Sequence, residues 1–220
     1  MVLIGKVVEE REDGITVVVP FPHDKKKPEG YRSMVGVELV DARHISADQR
    51  KKAYVLISYI AAWWGYTPTE AMKEMLKLMF IGDAETLRRT FSLSDCDMTT
   101  ARLFITYLID FCLLHGVDVG EPLYQLSEDI PRYVWACLMN KRCAVCGRKA
   151  ELHHVDAVGM GRNRKEICHI GMRVLPLCRE HHTEIHSVGQ EDFLKRYFLE
   201  PVKIDERIAD VYRLRKKSRR

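Results

Sequence analysis

The sequence predicts an α+β chain: a small N-terminal β-sheet plus a helical segment, followed by a Cys/His-rich finger and C-terminal helices. Three observations carry that reading. Apolar or alternating runs flank Asp13-Gly14 near the start. Helical patterns with their own start and stop residues fill the middle of the chain. Residues 143–186 then hold six of the nine histidines and four of the seven cysteines.

Val2–Val8 and Ile15–Val19 read as a β-hairpin about Asp13-Gly14, and Met34–Val40 adds a third strand after the basic loop His23–Pro28. Ser46-Ala-Asp-Gln49 is a capping-box pattern that opens a helix to about Trp64, with Tyr54, Ile57, Ile60, Ala61 and Trp64 on one face and Gly65 as the stop. Thr67-Pro68-Thr-Glu70 repeats the device for a second helix with Met72, Met75, Leu76, Met79 and Phe80 as its core stripe. A third, strongly apolar helix spans Thr99 to His115 and ends at Gly116; a fourth runs from Ile130-Pro131 to Met139. Glu191–Leu199 and Asp205–Lys216 read as two further helices, the last dissolving into a basic tail.

With 220 residues, 46% hydrophobic and 30% charged, the chain can bury a core as one large domain or two modest ones. The boundary is expected near residue 140, giving 1–140 and 141–220, because the Cys and His ligands begin there and the charge changes sign. Residues 1–140 carry 16 Lys+Arg against 20 Asp+Glu, net −4; residues 141–220 carry 19 against 11, net +8. A basic module of this kind is the electrostatic footprint of phosphate binding. No apolar stretch approaches the roughly 18–20 residues of a membrane span. Met1–Lys6 lacks the pattern of a secretory signal. A cytoplasmic location is therefore expected, and in a reducing compartment clustered Cys and His indicate metal rather than disulfides.

Cys143-x-x-Cys146-Gly147 is the tight turn of a zinc knuckle, and Cys178-x-x-His181, 32 residues after Cys146, supplies a second pair. Four such ligands close a tetrahedral site, which makes that zinc structural. Cys168 could replace His181; Cys96, Cys112 and Cys137 lie in apolar helical surroundings and read as inert core thiols. Once His181 is assigned, His182 and His186 remain, four residues apart on one helical face, where they can grip a second ion. A third ligand is expected from Glu151-Leu-His153-His154-Val155, a short strand. Alternation sends His153 and His154 to opposite faces, so one binds the ion and the other is left as an imidazole suited to general-base work near neutral pH.

Glu-Leu-His-His, a loop, then His-x-x-x-His on a helix resembles the HNH, or ββα-metal, endonuclease finger, with Cys-x-x-Cys and Cys-x-x-His resembling its zinc-stapled branch. The resemblance covers residues 143–186. It implies that His153 binds the catalytic ion with His182 and His186, that His154 deprotonates the attacking water, and that the cofactors are a structural Zn²⁺ and a divalent catalytic metal (Mg²⁺, Mn²⁺, Ni²⁺ or Zn²⁺). The family's middle Asn, which orients the base, would fall where this chain has Arg173; Asn163 and His169 are nearby polar substitutes at other spacings. Arg173 thus enters as a candidate catalytic position, and Arg162, Arg164, Lys165 and Arg173 as candidate DNA clamps.

The whole chain also resembles HNH nucleases encoded by phages of Gram-positive bacteria, through Asp41-Ala-Arg-His-Ile-Ser46-x-x-Gln49-Arg50, Phe91-Ser-Leu-Ser-Asp95-Cys and Gly159-Met-Gly-Arg-Asn-Arg164. The first of these, with Trp63-Trp-Gly65, is similar to the phage lambda Orf recombination mediator family. These resemblances imply metal-dependent hydrolysis of DNA phosphodiesters in phage recombination or processing, in the host cytoplasm. The partners would be single-stranded, branched or duplex DNA, the host single-strand-binding protein and a second copy of the chain. The competing class is a non-catalytic DNA-binding recombination mediator with a degenerate finger; intact His154 favours the enzyme and Arg173 the mediator. A zinc-dependent transcription regulator is disfavoured, since nothing reads as a recognition helix.

Overall fold

The computed structural model describes residues 6–18, 42–65, 67–83, 90–156 and 168–216. Among these are eight helices and two small sheets, a mixed α+β architecture. The chain divides into two compact units, Met1–Leu39 and Val40–Arg220.

In the first unit, β1 (Lys6–Arg11) and β2 (Gly14–Val18) form an antiparallel hairpin whose register shifts between Val7 and Glu9. The turn is Glu12-Asp13, one residue earlier than Asp13-Gly14, because Gly14 already pairs with Arg11. The expected third strand and the His23–Pro28 loop lie outside the described residues.

The second unit opens with α1 (Ala47–Trp63), capped as its sequence predicts. Ser46 Oγ accepts from the Gln49 N–H at 3.0 Å, and Gln49 Oε1 accepts from the Ser46 N–H at 3.1 Å. The Gln49 amide is buried because it also bridges to the Met98 carbonyl and the Glu128 carboxylate. The buried stripe is Ala53, Leu56, Ile57, Ile60 and Ala61. Trp64 does not join it. At the helix end it stays half-exposed and clusters with Trp63, Phe111 and His115.

Helix α2 (Thr69–Gly82) lacks the expected capping box: Pro68 occupies the cap and offers only its carbonyl, to the Met72 N–H at 3.0 Å. Its core stripe narrows to Met72, Leu76 and Phe80, with Met79 turned outward. Helix α3 (Met98–His115) is capped by Asp97, which accepts from the Thr100 N–H at 2.8 Å, and stops at Gly116 in the left-handed region with φ +67. A short α4 (Leu123–Leu126), absent from the sequence reading, precedes α5 (Ile130–Met139).

Two of the sequence motifs are scaffold contacts between distant segments. Ile45 N–H donates to the Cys96 carbonyl at 2.8 Å, and Arg50 reaches the Leu93 and Ser94 carbonyls at 2.9 and 3.0 Å. The Ile45–Arg50 and Leu93–Cys96 stretches are thus joined by backbone acceptors, which fixes the start of α1 against the start of α3.

The second sheet is antiparallel, in the order β3 (Glu151–His154), β4 (Arg173–Leu177), β5 (Val202–Lys203). Helix α6 (Arg179–Val188) follows β4 directly, then α7 (Gln190–Tyr197) and α8 (Glu206–Val211). The last two are shorter than Glu191–Leu199 and Asp205–Lys216 imply. Phe198 ends α7 in a left-handed conformation, and Asp205 is the cap of α8, accepting from the Ile208 N–H at 2.7 Å. The apolar core is continuous from Leu56, Phe104 and Leu108 through Val134 and Leu138 to Val174, Leu175, Leu177 and Ile208. Central strand β4 therefore rests on the helical layer, and what it carries is held from below. No helix among the described residues is long and apolar enough to cross a membrane.

Candidate metal centre

Four predicted ligands, Cys143, Cys146, Cys178 and His181, come together in one cluster. The knuckle closes through Gly147, whose N–H donates to the Cys143 carbonyl at 2.9 Å and whose φ of +69 is cheap only without a Cβ. Two bonds tie it to the fold: Ala144 N–H to the Pro176 carbonyl of β4 at 2.9 Å, and Tyr133 Oη from α5 to the Ala144 carbonyl at 2.8 Å. Cys178 is the cap residue of α6, and His181 lies in its first turn.

The spacing of this cluster fits a tetrahedral zinc. Bonds of about 2.3 Å to sulfur and 2.0–2.1 Å to nitrogen set two sulfurs about 3.8 Å apart and a sulfur and a nitrogen about 3.5 Å apart. Cys146 Sγ lies 3.7 Å from Cys178 Sγ, and Cys143 Sγ lies 3.5 Å from His181 Nδ1; the Cys178 Sγ to His181 Nδ1 edge is tighter at 3.1 Å. Burial, only partly offset by backbone hydrogen bonds, pushes the Cys143 thiol up to about 12, so a thiolate there calls for a cation beside it. Arg148 donates to Cys146 Sγ at 3.3 Å and to Cys178 Sγ at 3.7 Å and pairs with Glu180. Cys168 is elsewhere, with its thiol on the Lys216 carbonyl, while Cys112 and Cys137 are core thiols raised by burial.

The second cluster is His153, His182 and His186, whose ligating nitrogens lie within 4.8 Å of one another. Strand β3 pairs His153 with Leu175 and His154 with Val174, and alternation turns the two imidazoles to opposite faces. His182 and His186, one turn apart on α6, meet His153 with ring centroids 4.9 and 5.1 Å away and lie 5.1 Å from each other. His153 is buried, and desolvation, reinforced by its three histidine neighbours, lowers its pKa to about 4. It is thus neutral, as a metal ligand must be, across the physiological range. Glu151 Oε2 stands 3.7 Å from His182 Nδ1 at the rim.

On the other face, His154 Nε2 lies 3.1 Å from Nδ1 of His169, which is itself buried. Arg173, at the start of β4, is turned to Asp156. Its backbone N–H donates at 2.6 Å, its Nε at 2.9 Å, and its Nη2 lies 2.7 Å from the same carboxylate. The Arg173 backbone hydrogen bond, followed by its side chain, holds Asp156 below the ordinary carboxylate range. Arg162, Arg164, Lys165 and Asn163 lie outside the described residues. Of the two polar substitutes for the family's middle Asn, His169 is the one the structure brings to His154, fifteen positions away in sequence and at a spacing the family pattern does not share.

Set against known proteins, residues 19–215 match a family model described as "Putative HNHc nuclease". No curated protein matches the chain, and no solved structure does.

Proposed function

The chain belongs to the HNHc nuclease family, and on that premise we propose that it is a metal-dependent DNA endonuclease hydrolysing phosphodiester bonds in phage DNA recombination or processing. One observation carries the reading: neighbouring residues of β3 are divided between two tasks. His153 joins His182 and His186, a set fit to hold an ion, while His154 points to the opposite face of the strand. A closed structural cluster would need none of these four histidines.

In this reading β3, β4 and α6 are the ββα-metal finger. Cys143, Cys146, Cys178 and His181 hold a structural zinc, and His153, His182 and His186 hold the catalytic divalent ion. Three imidazoles leave coordination positions open, so the bound ion would neutralise charge developing on the scissile phosphate and the leaving oxygen. His154 accepts a proton from the water that attacks phosphorus. Residues 141–220, net +8, supply the phosphate-seeking surface, with Arg162, Arg164 and Lys165 as clamps. Arg173 contributes less charge than its identity promises, since Asp156 neutralises it. Residues 1–140 then engage DNA or a protein partner.

The test is cleavage of linear, single-stranded and branched DNA by the purified chain under Mg²⁺, Mn²⁺, Ni²⁺ and Zn²⁺, beside His154→Ala. A general base contributes about 10²–10⁴-fold, and a rate loss of that size is expected in the variant. Full activity in His154→Ala would overturn the base assignment. Absence of cleavage by wild type with every metal would overturn the enzyme and leave the DNA-binding mediator.

A further inference from the structure

A base on a four-residue strand needs something to hold its ring in one orientation and one tautomer, and Arg173 is committed to Asp156. We propose that His169 is the positioning residue of His154; the inference rests on the nuclease reading of His154 and goes beyond it by naming what orients the ring.

The backbone of His169 is pinned on both sides. Its N–H donates to the Arg215 carbonyl at 3.0 Å and its carbonyl accepts from Met172 at 3.1 Å, while Gly171 N–H donates to the Ile204 carbonyl at 2.9 Å. His154 is fixed independently, by its pairing with Val174 and by the bond from Val155 N–H to the Arg173 carbonyl at 2.9 Å. Two rings built on separately fixed backbones meet at 3.1 Å between His154 Nε2 and His169 Nδ1, with planes inclined at 53°. That separation is within hydrogen-bond range, and one nitrogen must donate while the other accepts.

The direction decides the chemistry. When His154 Nε2–H donates to His169 Nδ1, the lone pair of His154 lies on Nδ1, and that nitrogen takes the proton from water. The reverse direction puts a proton on His154 Nδ1 and removes the base. Once His154 has gained its proton, the same Nε2–H bond becomes charge-assisted and stronger, so His169 also stabilises the product of proton transfer. His169 need only accept; it never has to ionise. Sequence spacing conceals this because the contact joins β3 to the segment leading into β4, across the sheet rather than along the helix that carries the metal ligands.

The test uses the full zinc-loaded chain with three readouts. His169→Leu removes the acceptor, and His169→Asn keeps one, since its Oδ1 and the histidine Nδ1 are both two bonds beyond Cβ. Expected are a fall in kcat of about 10–100-fold in His169→Leu with KM within about twofold, and recovery of most of that loss in His169→Asn, at equal zinc content and thermal midpoint. Unchanged kcat in His169→Leu, or an equal loss in both variants, would overturn the proposal. The third readout is ¹⁵N NMR of the wild-type imidazoles, which needs neither cleavage nor a folded variant. His154 protonated on Nε2 supports the proposal, and His154 protonated on Nδ1 overturns it. If wild type cleaves no DNA, the nuclease reading fails by itself, and the tautomer still decides whether His169 orients His154.

Discussion

Helix α6 carries His181, His182 and His186 yet has little of its own to hold it in place. It is ten residues long, below the roughly 12–15 at which an isolated helix becomes stable. It buries a single apolar side chain, Ile185, and its cap residue Cys178 makes no side-chain capping bond. The ties from Glu184 to Arg196 and Tyr197 include an exposed ion pair of small worth. Zinc is therefore expected to dock the helix. Ile185→Ala should cost about 2–5 kcal/mol at this site. Zinc at a thousandfold over its Kd stabilises by about 4.1 kcal/mol, with about 1.4 kcal/mol more for each further tenfold rise in free zinc per ion bound. The two effects are comparable, so they can be traded against each other. Hydrogen exchange followed by mass spectrometry in chelator-buffered zinc is the assay. The α6 amides of Ile185→Ala should lose protection at low zinc and regain it on that slope. Leu56→Ala, also fully buried but in α1, should lower protection in the helical layer without zinc restoring it there. Protection of α6 that ignores free zinc in wild type and variant alike would refute the argument.

Further outcomes follow from the same cluster. Arg148→Ala should weaken zinc binding by about tenfold, the low end for a group hydrogen-bonded to metal ligands, because the guanidinium is half-exposed and screened; competition with a chromophoric chelator measures it, and an unchanged affinity would remove Arg148 from the account. Alkylation at mildly alkaline pH should spare Cys112 and Cys137, whose thiols burial holds far above that pH, with zinc present or chelated so long as the helical layer stays folded. After chelation Cys146 should be modified first, since hydrogen bonds led by Arg148 outweigh burial and lower its pKa, leaving more thiolate. Mass mapping that finds Cys137 labelled before Cys146 would refute that order.

Local chemistry made much of this fold readable. Ser46 and Gln49 specify their box within four residues, and Gly116 stops α3 because a left-handed residue is needed where the helix ends. Differences arise where the outcome depends on partners far along the chain or where neighbouring residues compete for one cap. Trp64 looked like core by periodicity, but the aromatic ends of α1 and α3 draw it to the surface. Thr67 looked like a cap, but the helix starts at the carbonyl of Pro68. Two-residue β5 has no period to detect and exists only through its pairing with β4. At the candidate centre, ligand spacing was informative because i,i+3 and i,i+4 neighbours are fixed by helix geometry. The His154–His169 and Arg173–Asp156 contacts depend on how strands and loops come together, which spacing does not encode.

The four pairs of β3, from Glu151 opposite Leu177 to His154 opposite Val174, have a consequence for which changes this chain can tolerate. A slip of one residue reverses every side chain of a strand. Here it would carry His154 toward His182 and His186 and His153 toward His169, exchanging the two imidazoles while leaving composition intact. The bonds from Ala144 to Pro176 and from Ala150 to Lys141 clamp the approach to β3 and set that count. Side chains between Cys146 and His153 can therefore vary more freely than their number: a single insertion there removes no ligand yet exchanges the places of His153 and His154.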